Sequence, residues 1–60
     1  MLTRQQAAEE LSKHYDQSGA ETILDEVAET SRYCQYDDDT VVVQALTTDG
    51  RVDGYLIHWL

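Results

Sequence analysis

Eight carboxylates fall between positions 16 and 39: Asp16, Glu21, Asp25, Glu26, Glu29, Asp37, Asp38 and Asp39. Arg32 is the only basic residue among them, so this stretch carries seven of the chain's eight net negative charges. Carboxylates so crowded can gather a hard cation or oppose a basic surface. For the first, Asp37-Asp38-Asp39 offers the oxygens but not the pattern. An EF-hand loop needs alternating acids, a glycine and a distant glutamate, which neither this run nor Asp49-Gly50-Arg51-Val52-Asp53-Gly54 supplies. Catalysis has still less to work with. His14 and His58 are the only histidines and Cys34 the only thiol, with no nucleophile motif or glycine-rich phosphate loop beside them. The reading is of a non-enzymatic chain with no cofactor and no metal.

The second chemistry fits better. Residues 1–15 balance Arg4 and Lys13 against Glu9 and Glu10, and residues 40–60 set Arg51 against Asp49 and Asp53. Concentrated like charge repels itself and disfavours the compact state, so the middle third is more easily explained by a basic partner than by stability. Solubility is the competing explanation for any small acidic domain. Glu21, Asp25, Glu26 and Glu29 span about 12 Å of helix axis, roughly one charge per 4 Å. That is near the ~3.4 Å rise per phosphate along one DNA strand. Glu21–Asp25 and Asp25–Glu29 are like-charge i, i+4 pairs, each costing a few tenths of a kcal/mol, which helix stability alone would not select. The expected partner is the basic groove of a nucleic-acid-binding complex, with Asp16, Glu21, Asp25, Glu26, Glu29, Asp37, Asp38 and Asp39 as the contacting face. Nucleic acid itself and anionic membranes should be repelled.

These side chains need elements to hold them. Thr3 and Gln6 form a capping-box pair with Leu2 and Ala7 as a hydrophobic staple, and Ala8, Leu11 and Tyr15 recur at helical spacing. A helix is predicted over about 4–16. Ser18 and Glu21 repeat the box, and Ala20, Ile23, Leu24, Val27 and Ala28 make an amphipathic stripe, predicting a second helix over about 19–31. Residues 33–36 predict a short strand, Asp37-Asp38-Asp39 a turn and residues 40–48 a β-branched strand. Asp49-Gly50 between apolar runs is a hairpin signal, so residues 51–60 should return as its partner, with Gly54 marking a bulge or a close approach. The fold class is α+β: a two-helix hairpin packed on a two- or three-stranded antiparallel sheet, in one domain over 1–60.

Both faces of that sheet are partly apolar. Tyr55, Ile57 and Trp59 alternate with Val52, Leu56 and Leu60, and Val41 and Val43 with Val42 and Leu46. Two short helices cover one face and hardly both, so the Tyr55/Ile57/Trp59 set is expected as a dimer or partner surface. An adaptor or regulatory homodimer built on it is the alternative function.

A chain of 60 residues buries only about 60% of the surface it exposes when unfolded, and its single cysteine allows no internal disulfide. Good packing or oligomerisation must make up the difference. The start of the chain has Arg4 but no apolar signal region, and the longest aliphatic run is Val41-Val42-Val43, so a soluble, cytoplasmic protein with no membrane span is expected.

Two resemblances accompany these readings. Leu2-Thr3-Arg4-Gln5-Gln6-Ala7-Ala8-Glu9-Glu10-Leu11 looks like the opening helix of small phage helix-turn-helix and excisionase-type proteins. The likeness ends at Ser12, where the turn glycine is expected, and the second helix is acidic where phosphate contacts need basic residues. In length and in its carboxylates from Asp16 to Asp39 the chain resembles phage-encoded anti-CRISPR and other DNA-mimic proteins. That resemblance implies a stoichiometric inhibitor from a phage or mobile element, acting in the host cytoplasm with its acidic face in a Lys/Arg groove.

Overall fold

Thr3 opens the first helix with both halves of a capping box: its side chain accepts the Gln6 N–H at 3.1 Å, and Gln6 Oε1 accepts the Thr3 N–H at 2.9 Å. The computed structural model describes residues 1–60. Helix α1 (Arg4–Leu11) stops earlier than its apolar spacing predicts. After Ser12 the backbone tightens: Lys13 N–H reaches the Glu10 carbonyl at 3.4 Å and His14 N–H the Leu11 carbonyl at 3.1 Å, both i to i−3. The reason lies one step further on. Asp16 is extended and caps the next helix, accepting the Gly19 N–H on Oδ1 at 2.7 Å, so it cannot also end the first.

Helix α2 (Gln17–Thr30) therefore begins two residues before the Ser18 box would place it. A carboxylate at the cap satisfies a free N–H and also meets the positive end of the helix dipole, which a serine hydroxyl does not. The Ser18 carbonyl instead accepts the Thr22 hydroxyl. Ser31 ends the helix in the left-handed region, φ 57°.

Strands β1 (Cys34–Tyr36), β2 (Val41–Thr48) and β3 (Arg51–Trp59) form one antiparallel sheet in the order β1-β2-β3. The expected α+β architecture, two helices and then a three-stranded antiparallel sheet, is the one present. Asp49 (φ 53°) and Gly50 (φ 77°) make the two-residue turn between β2 and β3, and their positive φ values match the twist of the strands they join. Asp37, Asp38 and Asp39 link β1 to β2 with φ of 53°, 52° and 68°. Asp tolerates that conformation better than most side chains, and Thr40 clamps the loop by donating its N–H to the Tyr36 and Asp37 carbonyls, each at 3.0 Å.

The register pairs Val41 with Trp59, Val43 with Ile57 and Ala45 with Tyr55, then slips between Leu46 and Thr47. Gly54 sits at that bulge and also admits a close approach. A Cβ there would lie 2.5 Å from Met1 Sδ and 3.0 Å from the Leu2 carbonyl oxygen. Leu2 itself forms a bridge to Tyr55 through two 2.8 Å backbone hydrogen bonds, adding a fragment of a fourth strand to the β3 edge. Helix α2 lies over β2, and α1 packs against α2 and β3. Leu11, Leu24, Val27, Val41 and Val43 are fully buried between these layers. No helix is long and apolar enough to cross a membrane.

Candidate partner-binding surface

The eight carboxylates singled out in the sequence divide by what holds them. Asp16 is committed to the α2 cap. Glu21 and Asp25, one turn apart on α2, both bond Arg4 Nη2 from α1, at 2.7 and 2.8 Å. Arg4 Nη1 reaches the Tyr55 hydroxyl at 3.4 Å. The i, i+4 repulsion between Glu21 and Asp25 is thus offset by a guanidinium on a neighbouring helix. The Glu21 hydrogen bond is the main cause that holds the Arg4 pKa above its ordinary value. All three side chains are at least 40% exposed, so each ion pair is worth less than about 1 kcal/mol.

Glu26 accepts the Tyr36 hydroxyl at 2.5 Å, joining α2 to β1. Burial, and then that carboxylate, push the Tyr36 pKa well above its ordinary value. Glu29, Asp38 and Asp39 are exposed and make no side-chain hydrogen bond or ion pair. Asp37 lies near Tyr15, whose hydroxyl is enclosed without a partner in hydrogen-bond geometry. Burial first, and the Asp37 carboxylate second, push the Tyr15 pKa up to about 12.

Glu26 and the 37–39 loop are therefore tied to one edge of the molecule through Tyr36, while Glu21 and Asp25 are tied to the α1 side through Arg4. Only Glu21 and Asp25 share a cation. A hydroxyl or backbone N–H orients a carboxylate without neutralising it, so the outer side of α2 and the 37–39 loop keep most of their charge. No three His, Cys, Asp or Glu side chains converge on a common point as a metal would require. Arg4 and Tyr36 are the organising residues that sequence reasoning missed. Their partners lie 17, 21 and 10 positions away, beyond any local pattern.

The apolar set needs a correction. Tyr55, Ile57 and Trp59 do share a face, but it is the one the helices cover. Tyr55 is 3% exposed, and Ile57 and Trp59 pack against the core. Helix α1 closes over the last of them: Trp59 Nε1–H donates to Glu10 Oε1 at 2.9 Å, and the His14 ring lies 4.9 Å from the indole. Glu10 also accepts from Lys13 at 2.9 Å, and Lys13 first and Trp59 second hold its carboxyl below the usual range. The physical reason is the register, which sets these three opposite Val41, Val43 and Ala45, the most apolar alternating set of β2. The open face is the other one.

Neither histidine joins the thiol. Cys34 Sγ contacts Thr30 Oγ1 and the Arg32 carbonyl, while His58 lies on the face opposite Trp59. Between α1 and α2 runs an open groove of about 580 Å³, rimmed by Arg4, Glu9, Gln17 and Glu21. Compared with protein-family models, with curated proteins and with solved structures, the chain matches none of them.

Proposed function

We propose that this chain is a non-enzymatic inhibitor of the kind phages and mobile elements encode, whose acidic surface takes the place of nucleic acid in a basic groove of a host complex. The observation that carries the reading is the mounting of the charge. Glu26 and Glu29 on α2, with Asp38 and Asp39 in the clamped loop, present carboxylates on defined backbone with no cation nearby among the ion pairs. Unpaired anions on a fixed frame are what a Lys/Arg groove reads in a phosphate backbone. Three consecutive left-handed residues would be less strained as Gly or Asn, so the choice of Asp three times favours charge over backbone ease.

The test uses the tagged chain to capture partners from a bacterial lysate at low and high ionic strength, with identification by mass. A basic nucleic-acid-binding complex should be held at low salt, released at high salt and displaced by added duplex DNA. The variant Glu26→Gln, Glu29→Gln, Asp38→Asn, Asp39→Asn leaves the Arg4 bridge and the Asp16 cap intact, and should lose the partner while staying folded. Capture by this variant equal to wild type would remove the reading.

A further inference from the structure

No helix covers the outer face of the sheet, which only Met1 touches, at Gly54. Gln35, Val42, Gln44, Leu46, Leu56 and His58 share it by register, through the pairs Gln35–Val42, Val42–His58 and Gln44–Leu56 and with Leu46 opposite Gly54. Leu56 is 44% exposed at the middle of β3, beside a shallow depression of about 320 Å³ shared with Val42, Gln44 and His58. We propose that this face joins two copies of the chain back to back, as a symmetric homodimer with the helices outermost.

Charge selects the occupant. Among those six residues there is no Asp, Glu, Lys or Arg, in a chain of net charge −8. At the hairpin end Arg51 and Asp53 pair with each other at 3.6 Å, which leaves Asp49 in the turn as the one unpaired charge there. A basic partner is drawn to the opposite side, where α2 carries its carboxylates. A second copy, itself strongly acidic, can approach only where charge is missing. Sheets pack about 10 Å apart and each helix layer adds about as much again, so the two acidic helices would stand roughly 30 Å from one another. That is more than three screening lengths of about 8 Å at physiological ionic strength, so their repulsion would not oppose the contact.

Size sets the strength. Strands of eight and nine residues at about 3.3 Å per residue, with neighbours about 4.8 Å apart and β1 only three residues long, give a face of roughly 400 Å² per copy, the size of a small, weaker interface. The sheet edges are poorer candidates. β1 has only three residues and runs into Asp37, and the β3 edge is taken by Leu2 at Tyr55.

Sedimentation equilibrium of the unmodified chain from micromolar to millimolar concentration should rise to twice the 6.8 kDa chain mass. Leu56→Glu, which keeps every carboxylate of the acidic surface, should weaken the dimer at least tenfold with unchanged circular dichroism. Isotope-filtered contacts between labelled and unlabelled copies of the unmodified chain should join Val42, Leu46 and Leu56 methyls, whatever the variant does. A monomer throughout the range, a Leu56→Glu chain that folds and still dimerises, or contacts confined to β1 would each overturn the proposal. Failure of the unmodified chain to capture any basic partner, with the dimer intact, would count against the acidic-surface reading alone.

Discussion

Tyr15 holds a hydroxyl that is enclosed and unpaired. A buried donor without a partner costs about 1 kcal/mol or more, so Tyr15→Phe should stabilise the domain by about 1 kcal/mol in urea denaturation. A loss of stability would mean that the hydroxyl is bonded to Asp37 in solution. Tyr15 and Tyr36 also set the alkaline limit of the fold. Both keep their protons in the folded state beyond the ordinary value of 10, Tyr15 to about 12 and Tyr36 higher still. Their contribution is complete below pH 10 and is lost as pH rises through the folded values, because the unfolded chain releases those protons first. Denaturation midpoints should fall from about pH 10 upward, and Tyr36→Phe should flatten that fall. At this scale the sequence is legible where partners are neighbours, as in the Thr3–Gln6 box and the Asp49–Gly50 turn. It is opaque for Arg4 with Glu21 and Asp25, because which helix face meets which depends on a crossing that no short window encodes.

The elements themselves are readable in kind and less so in extent. Apolar stripes mark α2, and β-branched runs mark β2 and β3, because burial imposes those periods. The boundary between the helices differs from the expected one for a specific reason: Asp16 and Ser18 are both acceptable caps, and the charged one takes the position. Asp16→Ala should therefore cost about 1 kcal/mol in thermal unfolding, whereas Ser18→Ala should cost a few tenths at most, since its hydroxyl caps nothing. Equal losses would mean that the helix starts at either residue. The sheet faces show the same limit. Alternation correctly groups Tyr55, Ile57 and Trp59, but both groups are apolar, so the pattern alone does not choose the covered one. Pairing with the smaller Val41, Val43 and Ala45 decides it.

For the molecule as a whole, twelve acidic residues oppose four basic ones, and the ion pairs present are exposed. Self-repulsion should outweigh them. Added salt is expected to raise the melting temperature by several degrees, about what 1 kcal/mol produces in a domain of this size. A fall on adding salt in calorimetry would show that the Arg4 and Lys13 bridges carry more of the stability than their exposure allows. The hydrogen bonds between Leu2 and Tyr55 bear on how the chain is made. A ribosome delivers Leu2 well before Tyr55, so the earlier-made residues wait for the later ones. The closing of that long loop cannot be shared out among smaller units, since α1 also leans on β3. While it is being synthesised, the nascent chain holds an apolar helix stripe with nothing to cover it, and folding begins in earnest only once β3 has cleared the exit tunnel.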